Sequence, residues 1–262
     1  FLSENHFTKL VNSPQIKLDS AETVQELINK LHKKGWNPRP FGGCTINEKA
    51  YIKWRKNSAS GYQNTDTCSG FGMAYSSTLS ESKFTEDLAS FLASEEFFSC
   101  LREKFNISSP PYRVAAGCHK YLKGYEISPH PDSRNKALTY MININPNPQS
   151  ESEKHHTQYM VLKKKYEYVK TYWEGNLDVD RSWLPWDWCE TKFQQIKNNS
   201  IVIFSSTNST IHAIKSDYND LNYQRTQFYG NLWYENYPKL LRPGWESLLI
   251  KPGKEKKNAS LP

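Results

Sequence analysis

The chain's 262 residues are enough to bury the core of one large domain, and 37% hydrophobic with 14% aromatic residues marks a globular fold beneath a polar surface (mean hydropathy -0.77). No apolar run approaches the roughly 18 residues of a membrane-spanning helix, which excludes a helical membrane protein. The net charge of +7 and pI near 9.0 permit an anionic partner such as nucleic acid. The excess is dispersed, however: only Lys163-Lys164-Lys165 and the tail from Lys251 to Lys257 are dense, and they read as a solvated face and a loose tail.

Along the chain, Asp19 and Glu22 form a capping pair ahead of Val24, Leu27, Ile28 and Leu31, which recur at helical spacing until Gly35 closes the run. Residues 40–80, rich in Gly, Ser, Asn and Thr, predict loops and short strands that cover something. Phe84, Leu88, Phe91, Leu92, Phe98 and Leu101 then give a continuous apolar stripe, predicting one helix from about Lys83 to Phe105.

From Ser108-Ser109-Pro110-Pro111 the character changes. Segments 112–118, 120–128, 137–144, 158–173, 200–206 and 223–234 are rich in β-branched and aromatic residues and alternate with turn residues. Short strands after helices predict an α+β, mainly β chain: an antiparallel sandwich or barrel buttressed on one side. The organisation expected is a helical, loop-rich part (1–110), a β core (111–237) and an extended C-terminal segment (238–262), within one domain.

Two strands have contrasting faces. In 137–144, Leu138, Tyr140, Ile142 and Ile144 suit packing, while Ala137, Thr139, Met141 and Asn143 suit a cavity wall. In 223–233, Tyr223, Arg225, Gln227, Tyr229, Asn231 and Trp233 share one face, where a buried Arg calls for an anionic partner.

Of the seven histidines, two sit where strands meet loops. His130-Pro131-Asp132 follows the strand at 120–128, and residues two apart in extended backbone point the same way, so both side chains can reach one ion. His212 follows the apolar strand Ile201-Val202-Ile203-Phe204 after a polar turn. Two imidazoles and one carboxylate on one side of an ion leave open positions opposite, the arrangement of non-haem iron(II) oxygenases. His119 reads as structural, His155-His156 as solvent-exposed, and Trp183, Trp186 and Trp188 either as aromatics that pin a loop to the core, the favoured reading, or as the lining of a substrate groove that could stack a base or sugar ring. Tyr229 and Trp233 are the better pocket-lining aromatics. No phosphate loop, Ser-His-Asp set or HExxH occurs.

The five cysteines (Cys44, Cys68, Cys100, Cys118 and Cys189) are odd in number and contain no CxxC pair. That excludes a disulfide scaffold or zinc ribbon and fits a reducing, cytoplasmic setting. The first residues, Phe1 to His6, lack the basic start and apolar run of a signal peptide, and N-terminal processing stays open because Phe1 is not an initiator Met.

Tyr121-x-x-Gly124, His130-x-Asp132 and the run Ala137 to Asn145 are followed in order by Trp173-Glu174-Gly175-Asn176-Leu177, Ile201 to Phe204, His212 and Gln224-Arg225-Thr226. Over about 112–234 this ordered set resembles the prolyl-4-hydroxylase-like branch of the iron(II)/2-oxoglutarate-dependent oxygenases. The resemblance implies a double-stranded β-helix (jelly-roll, cupin-like) core with iron(II) held by His130, Asp132 and His212. It implies 2-oxoglutarate as cosubstrate, its distal carboxylate paired with Arg225, and O2 as oxidant. Tyr121 and Asn143 stand where family members assist cosubstrate binding, and Thr139 is a further candidate on the same face. Asn143 departs from the commoner Tyr. The interval from His212 to Arg225 is long, with Ser216 to Asn222 expected to form a loop.

The implied reaction hydroxylates a C–H bond while 2-oxoglutarate is decarboxylated to succinate. A small-molecule or peptidyl substrate is expected. One alternative is a nucleic-acid-modifying oxygenase of the same chemistry, and the other is a non-enzymatic β-sandwich binding module with a vestigial metal site.

Overall fold

A computed structural model describes residues 1–41, 44–57, 71–107, 112–181 and 183–235. The expected extension 238–262, Cys68 and the boundary at Ser108 to Pro111 lie outside the described residues.

Helices dominate the first part: α1 (Glu4–Val11), α2 (Val24–Lys33), α3 (Glu48–Lys56), α4 (Lys83–Leu92) and α5 (Glu95–Lys104), interrupted by β1 (Asn37–Pro38) and β2 (Ala74–Ser77). The stripe of α2 buries Leu27, Ile28 and Leu31 as expected. Its cap is Thr23, whose hydroxyl accepts from the Glu26 N–H, rather than the Asp19–Glu22 pair. Gly35 takes φ +76°, the left-handed turn that ends the helix.

The single helix expected over 83–105 is two. Ala93 ends α4, and Ser94 then leaves helical geometry and caps α5 by accepting from the Phe97 N–H at 3.2 Å. The apolar stripe runs through the break because both helices bury residues in one core, so periodicity hides the interruption.

The second part contributes β3 (Tyr112–Tyr121), β4 (Glu126–Pro131), β5 (Lys136–Asn143), β6 (Gln158–Leu162), α6 (Tyr168–Gly175), β7 (Cys189–Gln194), β8 (Ile201–Ser205), β9 (Ile211–Lys215) and β10 (Arg225–Tyr234). The strand expected over 158–173 stops at Leu162, and its aromatic remainder forms a 3-10 turn and α6, which sinks Trp173 into a small second core. Two antiparallel sheets result, ordered β1-β2-β3-β10-β5-β8 and β4-β9-β6-β7.

The outer face of the larger sheet carries the main core. Leu138, Tyr140, Ile142 and Ile144 join Phe228 and Leu232, and residues of α2, α4 and α5 close over them. Gly230 makes this possible: a Cβ there would lie 2.3 Å from the Tyr140 ring, whose hydroxyl donates to the Leu92 carbonyl at 3.0 Å. The opposite face carries Thr139, Asn143, Arg225, Gln227 and Asn231, all buried although polar. Such a face is stable only where its polar groups find partners. The smaller sheet covers it. Ser216 to Asn222 form a bridge and turns rather than a strand, anchored by buried Asp220, which accepts from both terminal nitrogens of Arg55 at 2.7 and 2.9 Å. Among the described residues no helix is long and apolar enough to cross a membrane, and no disulfide joins Cys44, Cys100, Cys118 and Cys189.

Candidate metal centre

β4 and β9 are antiparallel neighbours, and a register shift after Ile127 sets His130 directly opposite His212. Residues opposed across such a pair project to the same face. Their ring centroids are 4.5 Å apart, and Asp132, two residues beyond His130, turns to the same side. One ligand atom from each of the three lies within 4.8 Å of the others.

The rings are set for ligation. His130 Nδ1 lies 2.8 Å from the Ser128 carbonyl, and His212 Nδ1 lies 3.4 Å from that of Thr210. A carbonyl only accepts, so each Nδ1 carries the proton and each Nε2 keeps its lone pair, as metal-ligating histidines require. Burial, with His212 adjacent, pushes His130 down to about 3, and burial likewise lowers His212. Both rings are therefore neutral and able to donate lone pairs at neutral pH.

Asp132 is 4% exposed. Burial would raise its carboxyl pKa, but the Lys136 ammonium, with the two imidazoles, outweighs this and holds it below the usual range. Lys136 Nζ donates to Oδ1 at 2.6 Å and Thr139 Oγ1 to Oδ2 at 2.6 Å. Lys136 also donates to the Tyr229 hydroxyl at 3.0 Å, and Thr139 contacts the Asn231 side-chain amide at 2.8 Å. A single hydroxyl proton cannot serve both acceptors, so the amide NH2 of Asn231 faces Thr139. The carboxylate is thus fixed in orientation from the larger sheet, and Oδ1, the oxygen that accepts from Lys136, lies 3.9 Å from His212 Nε2.

From the other side, the stretch after α6 crosses the centre. Arg181 donates to the Asp132 carbonyl and to Ser206, Leu184 N–H donates to the Pro129 carbonyl at 2.7 Å, and the Trp183 ring lies 6.4 Å from that of His130. Trp186 and Trp188 pack on the second core, with Trp186 Nε1 donating to buried Glu126 at 2.9 Å.

Arg225 opens β10, in register with Tyr121 of β3, and its guanidinium lies 4.8 Å from the centre of the Tyr121 ring. It is 2% exposed and donates to Thr157 Oγ1 at 2.8 Å. Among the described residues no carboxylate lies within ion-pair distance of it. Burial pulls the guanidinium below its usual range, partly offset by the phenols of Tyr121, Tyr125, Tyr218 and Tyr159 around it.

The fold therefore brings His130, Asp132 and His212 together, and Arg225 with Tyr121. Thr139 spends its hydroxyl on Asp132. Asn143 spends its amide NH2 on the Gln195 carbonyl at 2.7 Å and the Lys197 carbonyl at 3.3 Å, and its oxygen accepts from Gln227 at 2.6 Å. His119 packs edge-on against Phe41 at 4.9 Å and is 6% exposed. Spacing alone does not single out Lys136, whose one signal is its place four residues beyond Asp132 at the start of β5. His155 and His156, expected at the surface, are instead 0% and 7% exposed, because Tyr218 and Tyr223 close over His155 from the 216–224 turn.

No protein-family model and no curated relative matches the chain. Among solved structures, it is similar to a Pseudomonas putida prolyl-4-hydroxylase, with 11% identity, 79% of this chain and 96% of that one covered, and a TM-score of 0.36. It is also similar to a Trichoplax adhaerens prolyl hydroxylase in complex with a hypoxia inducible factor oxygen degradation domain peptide fragment (12% identity, 94% and 95% covered, TM-score 0.37). HygX from Streptomyces hygroscopicus, with nickel, 2-oxoglutarate and hygromycin B bound, gives 9% identity, 75% and 82% covered, and a TM-score of 0.31.

Proposed function

We propose that the chain is an iron(II)- and 2-oxoglutarate-dependent oxygenase that hydroxylates a C–H bond of a small-molecule or peptidyl substrate. The observation that carries this is the set His130, Asp132 and His212, whose ligand atoms lie within 4.8 Å of one another around a buried carboxylate. Imidazole and carboxylate donors on one side suit a divalent first-row metal with positions left for other ligands. Consecutive strands β3, β4 and β5, and again β7, β8, β9 and β10, alternate between the two sheets. That alternation supports a double-stranded β-helix with the site between its sheets.

When bound, iron(II) with 2-oxoglutarate and O2 supplies the oxidising power that forms succinate, CO2 and the hydroxylated product. The chain's contribution is positioning and exclusion of water. His130 and His212 offer Nε2, while Lys136 and Thr139 hold the Asp132 carboxylate so that it need not reorganise. Among the described residues Arg225 has no carboxylate partner, and its planar fork suits the distal carboxylate of the cosubstrate. Asn143 and Thr139 support the site through their strand and through Asp132. Succinate formation screened across peptides, amino acids, sugars and nucleobases tests the proposal, with His130→Ala as blank. Substrate-stimulated succinate in the native chain alone is the expected result; equal succinate from both overturns it.

A further inference from the structure

Around Arg225 lie buried polar groups without partners. His155 is 0% exposed, and neither of its ring nitrogens has a hydrogen-bond partner among the described residues. His156, its ring 4.6 Å away, leaves Nε2 unpartnered. Residues 155–157 connect the Lys154–Asp217 bridge to β6. Thr157 receives the Arg225 guanidinium at 2.8 Å. Tyr218 touches both partners: its ring lies 4.7 Å from His155, and its hydroxyl accepts the Arg225 backbone N–H at 2.8 Å.

A buried imidazole and a buried guanidinium with no hydrogen-bond partner and no counter-ion, respectively, among the described residues are each unfavourable. One anion with two oxygens, entering beside them, satisfies both. We propose that His155 donates an N–H to the distal carboxylate of 2-oxoglutarate alongside Arg225, making it a specificity-determining residue for that end of the cosubstrate. This rests on the cosubstrate assignment above and adds to it a donor from the smaller-sheet side, where the sequence suggested an exposed loop. Burial, with Arg225 adjacent, pushes the His155 imidazole down to about 2, so the ring is neutral and carries one N–H in either tautomer.

Calorimetric titration of the zinc(II)-loaded protein with 2-oxoglutarate, and with 2-oxopentanoate, which lacks the distal carboxylate, tests this. The native chain should prefer 2-oxoglutarate. His155→Phe should lose about tenfold in 2-oxoglutarate affinity, the scale of one hydrogen bond to a charged group, with 2-oxopentanoate unchanged. His155→Gln, which keeps a donor, should recover part of the loss. Undiminished 2-oxoglutarate binding by His155→Phe, with Arg225→Met impaired, overturns the role of His155 and leaves the cosubstrate assignment standing. No preference in the native chain overturns that assignment and the inference with it. Should His155→Phe fail to fold, the 15N imidazole signals of His155 in the native protein decide. They should move with 2-oxoglutarate and not with 2-oxopentanoate; signals unmoved by 2-oxoglutarate overturn the inference.

Discussion

Replacing Arg225 by Met should stabilise the ligand-free protein and abolish its response to 2-oxoglutarate. The guanidinium is 2% exposed and keeps a hydrogen bond to Thr157 and a contact with the Tyr121 ring. Those contacts contribute about 1 kcal/mol each. Against them stands the desolvation of an ion, several kcal/mol even after relaxation, with no carboxylate among the described residues to offset it. The net expectation is a change between zero and about 2 kcal/mol in favour of the variant, up to about 8 °C in melting temperature for a chain of this size. The native protein, at a 2-oxoglutarate concentration of about 100 Kd, should gain about 2.7 kcal/mol, or roughly 5–10 °C. Thermal melts of both proteins with zinc(II), with and without 2-oxoglutarate, measure all four values. A variant less stable than the native chain by more than about 1 kcal/mol and still shifted by 2-oxoglutarate would show that Arg225 is structural and not the anion's partner.

Lys136→Met should destabilise the metal-free protein by about 3–5 kcal/mol, because Asp132 is left as a buried carboxylate without its cation. Zinc(II) should then restore more stability to the variant than to the native chain, as read from paired denaturant melts. Gly230→Ala should cost about 1–3 kcal/mol or more in urea unfolding, since its Cβ meets a Tyr140 ring that cannot swing away. Acid should weaken the metal-free protein well above the carboxylate range. His119 and His155, held neutral by burial at about 3 and about 2, take up protons only on unfolding, where imidazole titrates near its usual value. Their folded values are depressed, so stability is lost as pH falls below about 6.5, by about 2 kcal/mol per histidine between pH 7 and pH 5. Chemical denaturation across that range should flatten in a His119→Phe, His155→Phe double variant; an unchanged slope would count against their burial.

What the sequence disclosed was local and periodic. His130 and Asp132 share a side because extended backbone alternates, and the two faces of β5 follow from the same rule. The long-range partners were less visible. That His212 stands opposite His130 depends on a register shift in β4, which no spacing reveals. The helix break at Ser94 and the end of β6 at Leu162 were hidden for a related reason: the apolar residues on either side serve continuous packing, whatever the backbone does between them. His155 was misjudged because its sequence neighbours are polar, while the residues that bury it, Tyr218 and Tyr223, arrive from a turn more than sixty positions away. Lys136 owes its role to Asp132 four residues before it, and Asn231 reaches Thr139 only because β5 and β10 pair.

Anaerobic addition of iron(II), then 2-oxoglutarate, to the purified protein, followed by visible absorption, probes the metal centre itself. One iron should bind per chain, with a metal-to-ligand charge-transfer band that needs both additions and is missing in Asp132→Ala. No band in the native protein, or an undiminished one in the variant, would contradict the iron(II) assignment.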